Sequence, residues 1–206
     1  MKPLMYSSPS DGERWDASFH NLEIIERENE LLDQGWCRVR DIAAIKKEKP
    51  RQNTNKFTYI DIDSVDSKTG FCFPKQIDSQ NRPSRAQRLV NKGDVLVSLV
   101  RPNRKCVLYI DEELDGAVCT TGFGILSTEN EGHGAWIFSC LMSSFSAAQL
   151  SRRSRSTMYP TINTDDLLEL IIPPFNETDA KKVLQQLKRI EEIRLEASTF
   201  REEITF

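Results

Sequence analysis

The stretch Tyr159–Phe175, YPTINTDDLLELIIPPF, constrains the fold more tightly than any other part of the chain. Pro160 fixes its own φ and pushes Tyr159 toward an extended backbone. Asn163 and Thr164 are residues whose side chains satisfy the exposed amides of a helix start, and Asp165 and Asp166 complement the positive end of a helix dipole. Together they predict a single helical turn. Leu170, Ile171 and Ile172 then read as a short buried strand, which Pro173–Pro174 ends. The rest of the chain leads up to this junction or away from it.

What leaves it is a long helix. Asn176 is a good cap, and Val183, Leu187, Ile190, Ile193, Ala197, Phe200 and Ile204 follow at spacings of 4, 3, 3, 4, 3 and 4. Such a narrow apolar stripe predicts a coiled-coil seam with one irregular step. It needs a surface to bury it, either another chain or the helix expected over Trp15–Gln34.

Charge separates the chain into three parts. The overall net charge is −3, but residues 1–35 carry −5, residues 36–160 carry +6 and residues 161–206 carry −4. A basic body between acidic ends points to a polyanion partner for the middle. With a mean hydropathy of −0.49 and no apolar run of membrane length, nothing in the sequence predicts a membrane span. The N-terminus lacks a signal-peptide core. Five dispersed cysteines without a CxxC pair argue against disulfides and zinc, so the expected setting is the reducing cytoplasm.

The basic body reads as β-rich. Met1–Arg14 is expected to be a loose tail, and WCRVRDIAAI (Trp36–Ile45) leads into the body. Strands are predicted at Thr58–Val65, Val95–Val100, Cys106–Ile110, Ala117–Thr121 and Phe123–Leu126, with turn signals between them. Short strands at this spacing suggest a barrel-like sheet. Trp136–Ser151 is predicted to be one helix. Asp61 and Asp63 would share the solvated face of their strand, and the residues that complete a calcium loop are absent, so no metal is expected. His20 and His133 have no partners at ligand spacing, His133 being expected in an exposed Gly-flanked turn. Thr121–Gly124 lacks the pattern of a nucleotide loop. Ile172-Pro-Pro-Phe lacks the hydrogen-bonding first residue of an amino-methylating motif, and no cofactor is expected.

Several segments resemble one family. YPTINTDDLLELIIPP is similar to the segment closing a target-recognition domain in the DNA specificity subunits of type I restriction–modification systems. TYIDIDSV, GDVLVS with the VRPN loop after it, and the opening WCRVRDIAAI resemble other parts of such domains. One departure is Arg155-Ser156-Thr157, where the family usually has a glycine. The resemblance spans roughly residues 15–206. It implies an α+β fold: a β-rich, barrel-like recognition domain over 15–175, flanking helices, and a coiled-coil helix over 176–206.

By the same resemblance the chain would read one DNA half-site and deliver it to separate methyltransferase and restriction subunits, having no catalytic residue itself. A single recognition domain implies either a homodimer or pairing with a second specificity half through the C-terminal helix. Candidate phosphate contacts are Arg82, Arg85, Arg88, Arg101, Arg104, Arg152, Arg153 and Arg155, the 82–88 trio sharing a face if helical. Base-reading candidates lie in the 46–57 loop (Lys46, Lys47, Lys49, Arg51, Asn53, Lys56) and the 68–80 segment (Lys68, Lys75). Asn103 and Tyr159 complete the set. The competing expectation is a protein-interaction adaptor on the same scaffold that reads no DNA.

Overall fold

Val95, Leu96, Val97 and Ser98 are all buried, so the strand they form must be covered on both faces. The computed structural model, which describes residues 19–50, 55–156 and 158–204, shows how. Side chains of the last helix are described through Ile193 and at Glu196. In chain order the first half contains α1 (Leu22–Asp33), β1 (Cys37–Arg38), β2 (Ala44–Lys46) and β3 (Lys56–Ile60). Next come β4 (Val65–Asp66), β5 (Phe71–Cys72), β6 (Lys75–Asp78), β7 (Ala86–Leu89) and β8 (Val95–Ser98). The second half contains β9 (Val107–Tyr109), β10 (Val118–Thr120), β11 (Phe123–Ser127), α2 (Glu131–Leu141) and α3 (Ser144–Arg153). It ends with α4 (Thr164–Leu168), β12 (Ile171–Ile172) and α5 (Glu177–Ile204).

Two four-stranded sheets form the body. One has the order β2-β11-β8-β9, the other β6-β3-β10-β7. In the first sheet Val95, Val97, Val107, Tyr109 and Leu126 pack with residues of α2, α3 and α4. Alternating with them, Leu96, Leu108, Phe123 and Ile125 pack on Ile60 and Cys119 of the second sheet. Period-two alternation thus gives each strand one face for the helices and one for the other sheet. The layers are helices, sheet, sheet. The strand orders are open, so the expected barrel is not a closed one. Tyr59, Ala86 and Val118 form a small third cluster with Phe57 and Ile77 on the second sheet.

The 159–175 junction folds largely as its sequence predicts. Asp166 accepts a hydrogen bond from the Asn163 amide at 2.8 Å, which closes a capping box on α4. The strand after it, β12, pairs antiparallel with β1, so Cys37 lies opposite Ile172. This tie joins the beginning of the body to its end. Gln149 of α3 braces it, donating to the Ile171 carbonyl at 2.9 Å and accepting from its amide at 2.8 Å.

Three local expectations need correction. The strand at 58–65 stops at Ile60, because the Asp61 carboxylate accepts from the Ile62 amide, capping a 3-10 turn over Ile62–Ser64. Asp61 and Asp63 therefore do not share a strand face. The helix predicted over 136–151 is two helices, split where the Ser143 hydroxyl accepts from the Ser146 amide. His133 lies in the first turn of α2 rather than in a free turn; Asn130 caps that helix, and the imidazole meets the Phe175 ring edge-on at 4.2 Å.

Candidate nucleic-acid interface

Strand register decides which loops share an end. Val118 and Cys119 of β10 lie beside Tyr59 and Ile60 of β3, and Thr120 lies opposite Ala86 of β7. Lys75, which starts β6, lies opposite Tyr59. Phe123 of β11 lies opposite Ser98 of β8, and Val107, which starts β9, lies opposite Val97. The short β10–β11 turn at Thr121–Gly122 links the two sheets at this end. Backbone bonds knit the neighbouring loops to it: the Thr121 amide donates to Arg85 and the Leu99 amide to Gly122. The approach to β6, the 82–85 turn, the 99–106 connection and the 155–161 loop therefore gather at one end, called here the loop end.

That end is cationic. Lys75 and Arg85 are exposed, as are Asn103 and Arg104 in a 3-10 turn at Pro102–Arg104. Arg101 and Lys105 flank this turn with φ of 50° and 53°, a left-handed backbone that non-glycine residues hold only at a cost of roughly 1–3 kcal/mol each. The turn carries Arg101, half-buried, and Arg104, exposed. Arg101 lies 5.7 Å from the centroid of the exposed Tyr159 ring. Arg82 donates from Nε to the Ala86 carbonyl and rests 5.2 Å over Phe57. The opposite end is acidic, with Asp111, Glu112, Glu113 and Asp115 between β9 and β10. There the carboxylates of Glu112 and Glu131, at 2.6 and 3.0 Å, hold the Lys92 ammonium above its ordinary pKa.

Other sequence candidates fall elsewhere. Arg152 and Arg153 do not reach solvent: they are 7% and 4% exposed and clamp Glu28 of α1, at 2.8 and 2.7 Å. Their positions in the last turn of α3 point both guanidiniums at α1, so they join two helices instead of contacting phosphates. Lys46 is similarly withdrawn. Its ammonium pairs with the buried Asp94 at 2.9 Å and with the Asn91 side chain, fixing the turn before β8. Arg155 donates to Asp166 at 2.6 Å and is partly neutralised by it. Arg88 belongs to β7, not to a helical face with Arg82 and Arg85, and donates to the Lys47 carbonyl at 3.2 Å.

The two halves of the expected interface are also separated. Lys56 lies opposite Asp78 at the far end of β3 from Lys75, so it is not beside the loop-end arginines. Lys47 and Lys49 are exposed in that loop, Lys56 is exposed 3.8 Å from Asp78, and Arg51 and Asn53 lie outside the described residues. Lys68 is exposed in the turn between β4 and β5. On α5, Val183 and Leu187 pack on the chain's own helical core, and they line a cavity of about 310 Å³ with Ile190, Phe138 and Met142. The first part of the expected seam is therefore covered internally. Ile193 is 51% exposed, while the side chains of Ala197, Phe200 and Ile204 lie outside the described residues. Met158, an apolar residue inside a polar loop, is exposed beside Tyr159.

Comparison with known proteins follows the same lines. The specificity subunit of the type I restriction enzyme HindI from Haemophilus influenzae is 28% identical over 131 residues, which are 62% of this chain and 26% of that protein. The HsdS subunit from Thermoanaerobacter tengcongensis superposes with a TM-score of 0.61 at 28% identity, covering 82% of this chain and 45% of that one. A structure described as the basis of complex assembly and conformational transition of the type I restriction–modification system gives 0.63, with the same identity and coverage. A type I S subunit from M. genitalium, 17% identical with a TM-score of 0.50, shares the fold. No protein family model matches the sequence. The chain spans about a quarter of the curated relative and less than half of the solved chains. Over the length of a single domain, the chain is similar to the specificity subunits of type I restriction–modification systems.

Proposed function

We propose that this chain is a DNA-recognition module that reads one half-site and carries out no chemistry of its own. In this reading residues 1–14 are a tail, 15–175 the recognition domain and 176–206 a helix for assembly. The observation that supports it most is the gathering of Lys75, Arg82, Arg85, Arg101 and Arg104 at the end of the body opposite the acidic loops. Such polarity orients a protein on a phosphate backbone, while Asn103 and the 68–80 segment, which runs into Lys75, supply groups able to read base edges. The kinship with type I specificity subunits favours duplex DNA as the polyanion, and methyltransferase and restriction subunits in the cytoplasm as partners.

Assembly would use α5 beyond the part already covered. Ile193 is exposed on that helix, and a coiled-coil seam with a second copy or another specificity half would start from it. A homodimer would read a symmetric site. The test is fluorescence anisotropy with duplex DNA across a salt series. Each phosphate contact contributes about 0.9 to the slope of log K against log salt. Replacing both Arg101 and Arg104 by Ala lowers that slope by about two. An unchanged slope in that variant would remove this end of the molecule from the interface.

A further inference from the structure

Of the five exposed large hydrophobic side chains among the described residues, three lie at the loop end: Phe73, Met158 and Tyr159, at 67%, 78% and 61% exposure. Met158 and Tyr159 are adjacent, on the loop between Arg155 and Thr161. Its base is clamped. Arg155 and Thr161 exchange both backbone bonds, at 2.7 and 3.0 Å. The Arg101 amide donates to the Pro160 carbonyl at 2.7 Å, and the Ile162 amide to the Leu99 carbonyl at 3.0 Å. Ser156 holds a φ of 69°, and Pro160 fixes its own.

A loop hydrogen-bonded at its base thus holds a methionine and a tyrosine out to solvent. Its surroundings are cationic: Arg101 over the tyrosine ring, with Arg104 in the next turn. Apolar side chains flanked by phosphate-seeking arginines are the chemistry of a wedge that enters a base step, partly unstacking it and kinking the duplex. Aromatic rings stack on bases of any identity, and a guanidinium over the ring extends the stack.

We propose that the Met158–Tyr159 tip is such a wedge, so that the chain distorts the duplex it binds. The proposal rests on the reading of this end as a DNA interface. It follows that the entered step is one that unstacks easily, a pyrimidine–purine step such as TA or CA.

The experiment uses the full chain and a random duplex pool of about 30 base pairs, room for two half-sites. The enriched sequence is synthesised with 2-aminopurine at each position in turn, and its fluorescence is read on binding. The wild type is expected to brighten one step, within a pyrimidine–purine pair, several-fold. The variant Met158→Ser/Tyr159→Ser is expected to lose that signal and bind about 5- to 100-fold more weakly, with an unchanged salt slope. Tyr159→Phe keeps both. Because both side chains are exposed, the variant's melting temperature should match the wild type and confirm an intact fold. Salt-dependent binding with no brightened position, or a double variant that keeps signal and affinity, overturns the wedge and leaves DNA recognition standing. A wild type that shows no salt-dependent duplex binding overturns both.

Discussion

Glu28 anchors a buried charge cluster whose removal should cost more than any surface change. Glu28 is 6% exposed, and its carboxylate holds Arg152 Nη2 at 2.8 Å with one oxygen and Arg153 Nη1 at 2.7 Å with the other. In Glu28→Ala, Arg152 keeps the Phe19 carbonyl at 2.8 Å, and Arg153 keeps the carbonyls of Gln149 and Glu169 at 3.4 and 3.0 Å. The variant takes the same carboxylate away from two buried guanidiniums at once. Breaking a buried pair in this way costs about 3–5 kcal/mol, against a total stability of about 5–15 kcal/mol for a domain. At roughly 2–4 °C per kcal/mol for a chain of this size, the melting temperature should fall by about 6–20 °C. Thermal unfolding followed by circular dichroism measures it. Arg153→Ala should also destabilise, because it strips the carboxylate of one partner, while leaving the salt slope of DNA binding intact. A loss under about 2 °C for Glu28→Ala would refute the clamp. An Arg153→Ala variant of unchanged stability whose salt slope falls by about one would restore the phosphate role expected from sequence.

Three further outcomes follow from the packing. Lys46→Ala leaves Asp94, 3% exposed, without its ammonium, and should cost about 3–5 kcal/mol in urea unfolding; a cost below about 1 kcal/mol would mark the pair as incidental. Gly134→Ala should destabilise by about 1–3 kcal/mol although alanine favours helices, since its Cβ would lie 2.1 Å from the Gly93 carbonyl oxygen; a stabilised variant would refute that close approach. Burial raises the thiols of Cys106 and Cys119 to about 11 and about 12 from an ordinary 9.0. Above 9.0 the unfolded chain releases these protons while the folded chain retains them, so their contribution to stability is intact below 9.0 and erodes as pH rises toward 12. Cys119→Ala should flatten this loss in alkaline unfolding curves, and an unchanged pH profile would contradict it.

Local instructions were legible where short-range chemistry decides the outcome. The capped turn at Thr164–Leu168, the strand at Ile171–Ile172 and the long helix after Asn176 follow from caps, prolines and periodicity. So does the strand at Val95–Ser98. What the sequence concealed was pairing at a distance. Arg152 and Arg153 look like a basic patch until Glu28, more than a hundred residues earlier, is placed against them. Lys46 looks like a loop cation until Asp94 is brought beneath it. Asp61 alternates as a strand residue would, but its carboxylate finds a backbone amide first and ends the strand. The stripe on α5 gives the right period without saying which surface covers it, and the chain's own α2 covers its beginning. Of the candidate interface, the arginines at 82, 85, 101 and 104 could be named in advance. Their convergence on one end could not, because it depends on a parallel pairing between β3 and β10 that no local signal encodes.

The central claim is that the loop end binds duplex DNA through its arginines. Its most direct test is duplex affinity across a salt series, measured for the wild type and for Arg85→Ala/Arg101→Ala/Arg104→Ala in parallel. A steep wild-type slope that falls by about three in the variant, at equal melting temperature, is the predicted result. Equal slopes for the two proteins, or no salt-sensitive binding by either, would contradict it.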